Sequence, residues 1–213
     1  MENFLNQSAK SIVVDLIEAI QKNSQYLSEI DGAIGDGDHG VNMSKGFTKA
    51  GEALVSGEMD FSEALYHLGD TLLVEIGGAM GPLYGTFFMD MGTSCKDKKE
   101  IDKNVFSSML EAGVNGVQDI GNAKVGDKTL LDTLIPAKEA FEKALSEGRD
   151  FSDSLKEMDL AAKRGMESTK DMIAKIGRAS RLGERSRGHQ DAGATSCYVI
   201  LNSLATSIQR IIN

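Results

Sequence analysis

The stretch SIVVDLIEAI (residues 11–20) decides the fold class. Its apolar residues Ile12, Val13, Leu16, Ile17 and Ile20 fall on one face of an α-helix and on neither face of a strand. Ser8 stands where a helix cap is expected, and the pattern is expected to fade by Asn23–Tyr26. The same period returns along the chain. Val41, Phe47, Ala50 and Leu54 carry it to a stop at Gly57. Asp60 and Glu63 have capping-box spacing and open a helix through Leu65, Leu68, Leu72 and Ile76. Pro82 suits the first turn of a helix reaching about Gly92, and Cys95–Glu100 reads as a charged loop. Val105, Met109 and Ala112 mark a fifth helix ending near Gly121. From Thr129 the run Leu130, Leu131, Leu134, Phe141 and Leu145 is helical, and Pro136 inside it predicts a kink. Asp150 is placed to cap a helix carrying Leu155, Met158, Ala162 and Met166. Thr169–Ile176 is expected to add a further segment. Tyr198, Leu201, Leu204, Ile208 and Ile211 line the last. No stretch alternates with period two. The expectation is an all-α bundle of about eight antiparallel helices forming one domain over 1–213.

Composition agrees and excludes some functions. The chain has 213 residues with only two prolines and a formal charge of −9. That balance disfavours nucleic acid as a partner, because phosphate backbones select basic faces. It equally disfavours an anionic membrane surface. Cys95 and Cys197 form no CxxC pair and fit buried thiols in a reducing compartment. Asp15 and Glu18 interrupt the early apolar run, so no secretion signal is read, and no run is long enough to span a membrane. A cytoplasmic location is the expectation.

Between the first two helical patterns lies DGAIGDGDHG (31–40). It contains a literal Gly35-x-Gly37-x-x-Gly40, but a dinucleotide site needs a preceding strand and bare amides, whereas Asp36 and Asp38 would repel phosphate. Counted from Asp36 as an EF-hand, the sixth and twelfth positions are Val41 and Phe47, which excludes that loop too. What remains is a set of hard oxygen ligands, Asp31, Asp36 and Asp38. Magnesium takes a few carboxylates and completes its shell with water and phosphate. His39 is then placed to donate to a phosphate oxygen, and the helix opening near Val41 to aim free amides at it.

Three more segments are glycine-rich. Gly77–Pro82 reads as an interhelical turn or a close approach to a ligand. Gly121–Thr129 approaches a P-loop but inserts Asp127 and lacks a strand before it; it reads either as a phosphate or purine contact or as a loop whose Asp127 caps the next helix. Gly177–Gly193 gathers Arg178, Arg181, Arg185 and Arg187 in an acidic chain, as a mobile cover over transferring phosphates would.

Four blocks, IGDGDHGVNM (34–43), GGAMGPLYGTFF (77–88), GDKTLLDTLIPA (126–137) and GRASRLGERSRGHQDAGATS (177–196), resemble the nucleotide-binding L subunits of bacterial dihydroxyacetone kinases, in the same order. The resemblance implies a barrel of eight antiparallel helices with ADP or ATP and two Mg2+ at one end. It implies Asp31, Asp36 and Asp38 as metal ligands. It implies nucleotide contacts at His39, Gly40, Val41, Asn42, Ala79, Met80, Gly121, Leu130, Arg178, Asp191, Ala192 and Gly193, with Arg178 also steadying the transferring group. Met80 departs from the pattern, since many relatives have serine there. The partners implied are a K-type subunit that holds dihydroxyacetone, an M-type phosphohistidine carrier that recharges ADP, and in some members a transcription regulator. A kinase subunit for another small ketose, and a nucleotide-binding regulatory module, are the alternatives.

Overall fold

The computed structural model describes residues 2–213, the side chains of residues 55 and 56 aside. Eight α-helices run along the described chain: α1 (Lys10–Ile34), α2 (His39–Ser56), α3 (Phe61–Glu75), α4 (Met80–Cys95), α5 (Lys103–Ile120), α6 (Leu131–Ser146), α7 (Phe151–Ser168) and α8 (Ala192–Ile212). Each packs on the next and α8 packs back on α1, so the ring closes. Sequential neighbours pack antiparallel in an up-and-down arrangement, with one long connection between α7 and α8. One apolar core drawn from all eight helices fills the ring.

The sequence pattern explains the packing. Phe106, Phe141 and Phe151 bring α5, α6 and α7 together, with ring centroids 5.3 to 6.2 Å apart in edge-on or tilted contact. Phe47, Phe87 and Phe88 do the same for α2 and α4. Asp60 and Glu63 form the expected reciprocal capping box of α3, and the Asp150 carboxylate accepts from Asp153 N at the head of α7.

Several expectations are corrected. α1 does not fade at Asn23–Tyr26 but continues to Ile34. Leu27 and Ile34 continue the buried stripe beyond Ile20, while Gln21, Lys22, Gln25 and Glu29 stay exposed, so the helix keeps its anchor. The position before α1 is Ala9, with no side-chain cap, so Ser8 is not the cap. α6 continues through Pro136, as the run from Leu130 to Leu145 leads one to expect. The proline offers no N–H to the Asp132 carbonyl, and Gly165 of α7 packs directly on that carbonyl, where a Cβ would collide. Thr169–Ile176 holds only a short 3-10 turn at Thr169–Asp171. The charged loop after α4 passes into a strand, β2 (Glu100–Asp102), which pairs antiparallel with β1 (Asn3–Leu5). Three residues are too few to show an alternation in sequence.

The closure of the ring sets the polarity of its ends. α2, α4, α6 and α8 all start at the same end, where α1, α3 and α5 stop. Four helix N-termini, with their unpaired amides and positive dipole ends, therefore converge on one cavity.

Candidate functional site

That cavity has a volume of about 670 Å3. The acidic segment forms one wall, and it is built differently from a plain loop. Asp31 sits on the last turn of α1, where its carbonyl accepts from Gly35 N at 2.5 Å. Its carboxylate then turns inward and accepts from Gly37 N at 2.8 Å and His39 N at 3.4 Å. Gly37 has φ +77, a conformation that needs glycine. Asp31 thus bends the chain between α1 and α2 so that Asp36 and Asp38 face it. All three carboxylates offer an oxygen within 4.8 Å of one another. Asp31 is partly buried, while Asp36 and Asp38 are exposed on the cavity side. Hard oxygen donors with open positions beside them fit magnesium, which keeps several waters or phosphate oxygens in its shell. Arg178 forms an ion pair with Asp36.

His39 opens α2 and is only 6% exposed. Burial pushes its pKa down to about 4, against the raising influence of Asp31. The ring is therefore neutral at pH 7. Its Nε2 lies 2.9 Å from Ser196 Oγ, which lies 2.7 Å from the Tyr84 hydroxyl, and that hydroxyl donates to Gly193 O at 3.0 Å. The three residues join α2, α4 and α8 under the cavity floor. Neither Tyr84 nor Ser196 stands out in sequence, because each occupies an ordinary apolar-face position of its helix. Gly40 follows. A Cβ there would overlap Ser24 O and Ser28 of α1, and Ser24 Oγ donates to Gly40 O at 2.9 Å. The glycine lets α2 start against α1. Val41 is 62% exposed, so its contribution at this end is its backbone amide, which lies in the unpaired first turn.

Ala79 and Met80 reach the cavity from the start of α4, and Gly78 before them has φ +72. Met80 packs partly buried against the core. Gly121 caps the C-terminus of α5. Leu130 enters from the turn preceding α6. In that turn the Asp132 carboxylate accepts from Gly126 N at 2.5 Å and Thr129 N at 2.7 Å. Asp132 therefore orders the turn, and Asp127 is not the cap of α6, whose N-cap position is Leu130: it accepts from Lys124 N and pairs with Lys175. Asp191 caps α8 through Ala194 N at 2.7 Å. Burial raises its carboxyl to about 6. Ala192 and Gly193 follow it along the wall.

Of the residues singled out from sequence, Asp31, Asp36, Asp38, His39, Asn42, Ala79, Met80, Gly121, Leu130, Arg178, Asp191, Ala192 and Gly193 all line this cavity. Gly40 and Val41 stand beside it at the head of α2. An apolar wall of Leu83, Val117, Ile120, Leu131 and Ile176 opposes the carboxylates. The cavity therefore joins a cluster of three carboxylates to an apolar lining. No described helix is long and apolar enough to cross a membrane.

Residues 33–206 match the DAK2 domain family. The chain is 35% identical over 204 residues to the ADP-binding subunit DhaL of PEP-dependent dihydroxyacetone kinase 2 from Listeria innocua, covering 94% of each chain. It is 39% identical over 183 residues to the corresponding Escherichia coli DhaL, covering 85% of this chain and 87% of that one. In structure it is similar to the dihydroxyacetone kinase of C. freundii solved with AMP-PNP and Mg2+. The TM-score is 0.69 at 22% identity, covering 97% of this chain and 35% of that longer one. The all-α barrel is shared across that distance, and the chain belongs to the DAK2 domain family, aligning along most of its length with ADP-binding L-type subunits.

Proposed function

We propose that the chain is the nucleotide-binding, phosphoryl-transferring subunit of a dihydroxyacetone kinase. ADP occupies the cavity with two Mg2+ on Asp31, Asp36 and Asp38. An M-type phosphohistidine subunit recharges the ADP, and the phosphoryl group passes to dihydroxyacetone held on a K-type subunit. The observation that carries the reading is the meeting of three carboxylates with helix N-termini at one end of the barrel. Acidic side chains alone would expel a diphosphate; bound magnesium supplies the positive charge that joins the two.

The chain's own residues do the rest. The first turns of α2, α4 and α8 present unpaired amides to anionic oxygens. The neutral His39 ring, fixed through Ser196, adds no charge to the phosphate side. Met80 has no hydroxyl to give, so the start of α4 acts through its backbone. Arg178, on the exposed cover, pairs with Asp36 and stands where a guanidinium meets both the ligating carboxylates and a transferring phosphoryl. The reading assigns no general base to this chain, since phosphoryl transfer runs on positioning and charge neutralisation.

The test is to combine the chain with a K-type subunit, an M-type phosphocarrier and a phosphoryl donor, and to assay dihydroxyacetone phosphate. Product that depends on this chain, on ADP and on magnesium is expected. Absence of product with any K-type partner overturns the reading.

A further inference from the structure

Lys128 is 1% exposed. Among the described residues it is the one non-glycine with a left-handed backbone, φ 64. Its near-P-loop position suggests a phosphate ligand, but its bonding excludes that. Nζ donates to Ser186 O at 2.6 Å, His189 O at 2.6 Å and Met172 O at 3.2 Å. An ammonium has three donors, and all are spent on backbone.

Those carbonyls lie at the two feet of one arch, the segment 172–189 that carries the arginines. Asp127 grips the same segment: its carbonyl accepts from Lys175 N at 3.1 Å and its carboxylate from Lys175 Nζ at 3.3 Å. Ser186 Oγ stitches the feet together, accepting from Ala174 N at 2.9 Å and donating to Gly183 O at 2.6 Å. Between the feet the chain turns at Gly177, φ 73, and Gly183, φ 54. Arg178 stands on that free span opposite Asp36. The cover thus turns on glycines and is moored at its base by a buried cation, with Asp127, Ser186 and the bonds of Gly188 N to Lys170 O and Arg187 to Asp171 O beside it. A compact point charge with three rotatable donors is suited to gather three carbonyls from separate turns.

We infer that Lys128 is a positioning residue: its ammonium moors the arginine arch to the turn before α6, and so sets where Arg178 stands over Asp31, Asp36 and Asp38. The role given to Arg178 rests on the kinase reading above; the mooring itself does not.

The two parts are tested separately. Trypsin has natural sites in the arch after Lys175, Arg178, Arg181, Arg185 and Arg187. In the free chain, Lys128→Met is expected to speed cleavage at these sites at least tenfold, with helical circular dichroism retained and cleavage elsewhere unchanged. Lys128→Gln keeps part of the donor set and is expected to fall between; it carries the test if the methionine variant does not fold. In the complex with a K-type subunit, Lys128→Met and Arg178→Ala should each lower kcat more than they raise KM for the nucleotide. Their double variant should be no worse than the poorer single, because one acts through the other. Unchanged cleavage of the arch overturns the mooring, and losses that multiply overturn the link to Arg178. If wild type itself transfers no phosphoryl group, the kinase reading fails, while the protease result still decides the mooring.

Discussion

At the scale of single residues, Asp36 separates binding chemistry from folding. It is exposed, and the polar contact it makes is an ion pair with Arg178, so Asp36→Asn is expected to leave helical content and stability near wild type. It removes one of three hard ligands. Magnesium-dependent ADP affinity should fall by more than the roughly 10- to 100-fold that losing an outer partner of a metal ligand costs. Equilibrium dialysis with and without chelator reads this; ADP retained at wild-type affinity would remove Asp36 from the ligand set. Two buried titratable groups give a second residue-level expectation, in metal-free buffer. His39 drops from 6.5 to about 4 on folding, so the unfolded chain binds its proton first and stability is lost as pH falls from about 6.5 to 4. Asp191 rises from 3.8 to about 6, so the folded chain binds its proton first and stability is lost as pH rises through the same range. Each is worth about 3 kcal/mol, with opposite sign. Relative to wild type, His39→Gln should therefore gain stability as the pH is lowered from 6.5 to 4.5, and Asp191→Asn should lose it. Urea midpoints at the two pH values check this, and parallel changes in the two variants would contradict it.

At the scale of elements, α3 packs closely against α4 through glycine. A Cβ on Gly69 would meet Gly85 O at 2.5 Å and Met89 N at 2.7 Å, both backbone atoms that cannot swing away. Gly69→Ala is expected to destabilise by about 1–3 kcal/mol despite alanine's better helix propensity. Gly51 of α2 is the control. A Cβ there meets only Ile17 side-chain atoms at 3.5 Å or more, so Gly51→Ala should stabilise by about 0.5–1 kcal/mol. Chemical denaturation distinguishes the two, and equal effects would refute the close-approach account. The same scale shows what was legible in the sequence. Helical period exposed every long helix, since each buries one face in a shared core. Asp31, Asp36 and Asp38 stood out because carboxylates and glycines concentrated together have no packing role. The extent of α1 was not legible, because the polar run Asn23–Tyr26 looks like an ending until Leu27 is seen to be buried. Lys128 was invisible for a deeper reason. A lysine is ordinarily exposed, and the three carbonyls that receive it lie 44 to 61 residues away.

At the scale of the molecule, the proposed function asks an acidic protein of net charge −9 to hold a diphosphate. The barrel's topology resolves part of that conflict. An even number of antiparallel helices closed in a ring gathers four N-termini at one end, so the field of the backbone opposes the field of the side chains there. Dipole ends of this kind favour an anion modestly, by about 0.3–1 kcal/mol each at exposed positions. Three carboxylates facing the same space offset that gain. Nucleotide binding should therefore depend on the cation almost completely. With magnesium and ADP at one hundred times the dissociation constant, linkage adds about 2.7 kcal/mol to the folded state. For a chain of this size that corresponds to a rise in Tm of roughly 5–10 °C. In chelator the same ADP concentration should leave Tm within about 1 °C of the free protein, because a ligand that does not bind cannot shift the equilibrium. Magnesium without ADP should give an intermediate rise, since it still relieves repulsion among Asp31, Asp36 and Asp38. Scanning calorimetry of the four combinations measures all of this. An equal rise with ADP in chelator would mean that the helix ends hold the diphosphate unaided, and that the acidic wall serves something other than the metal.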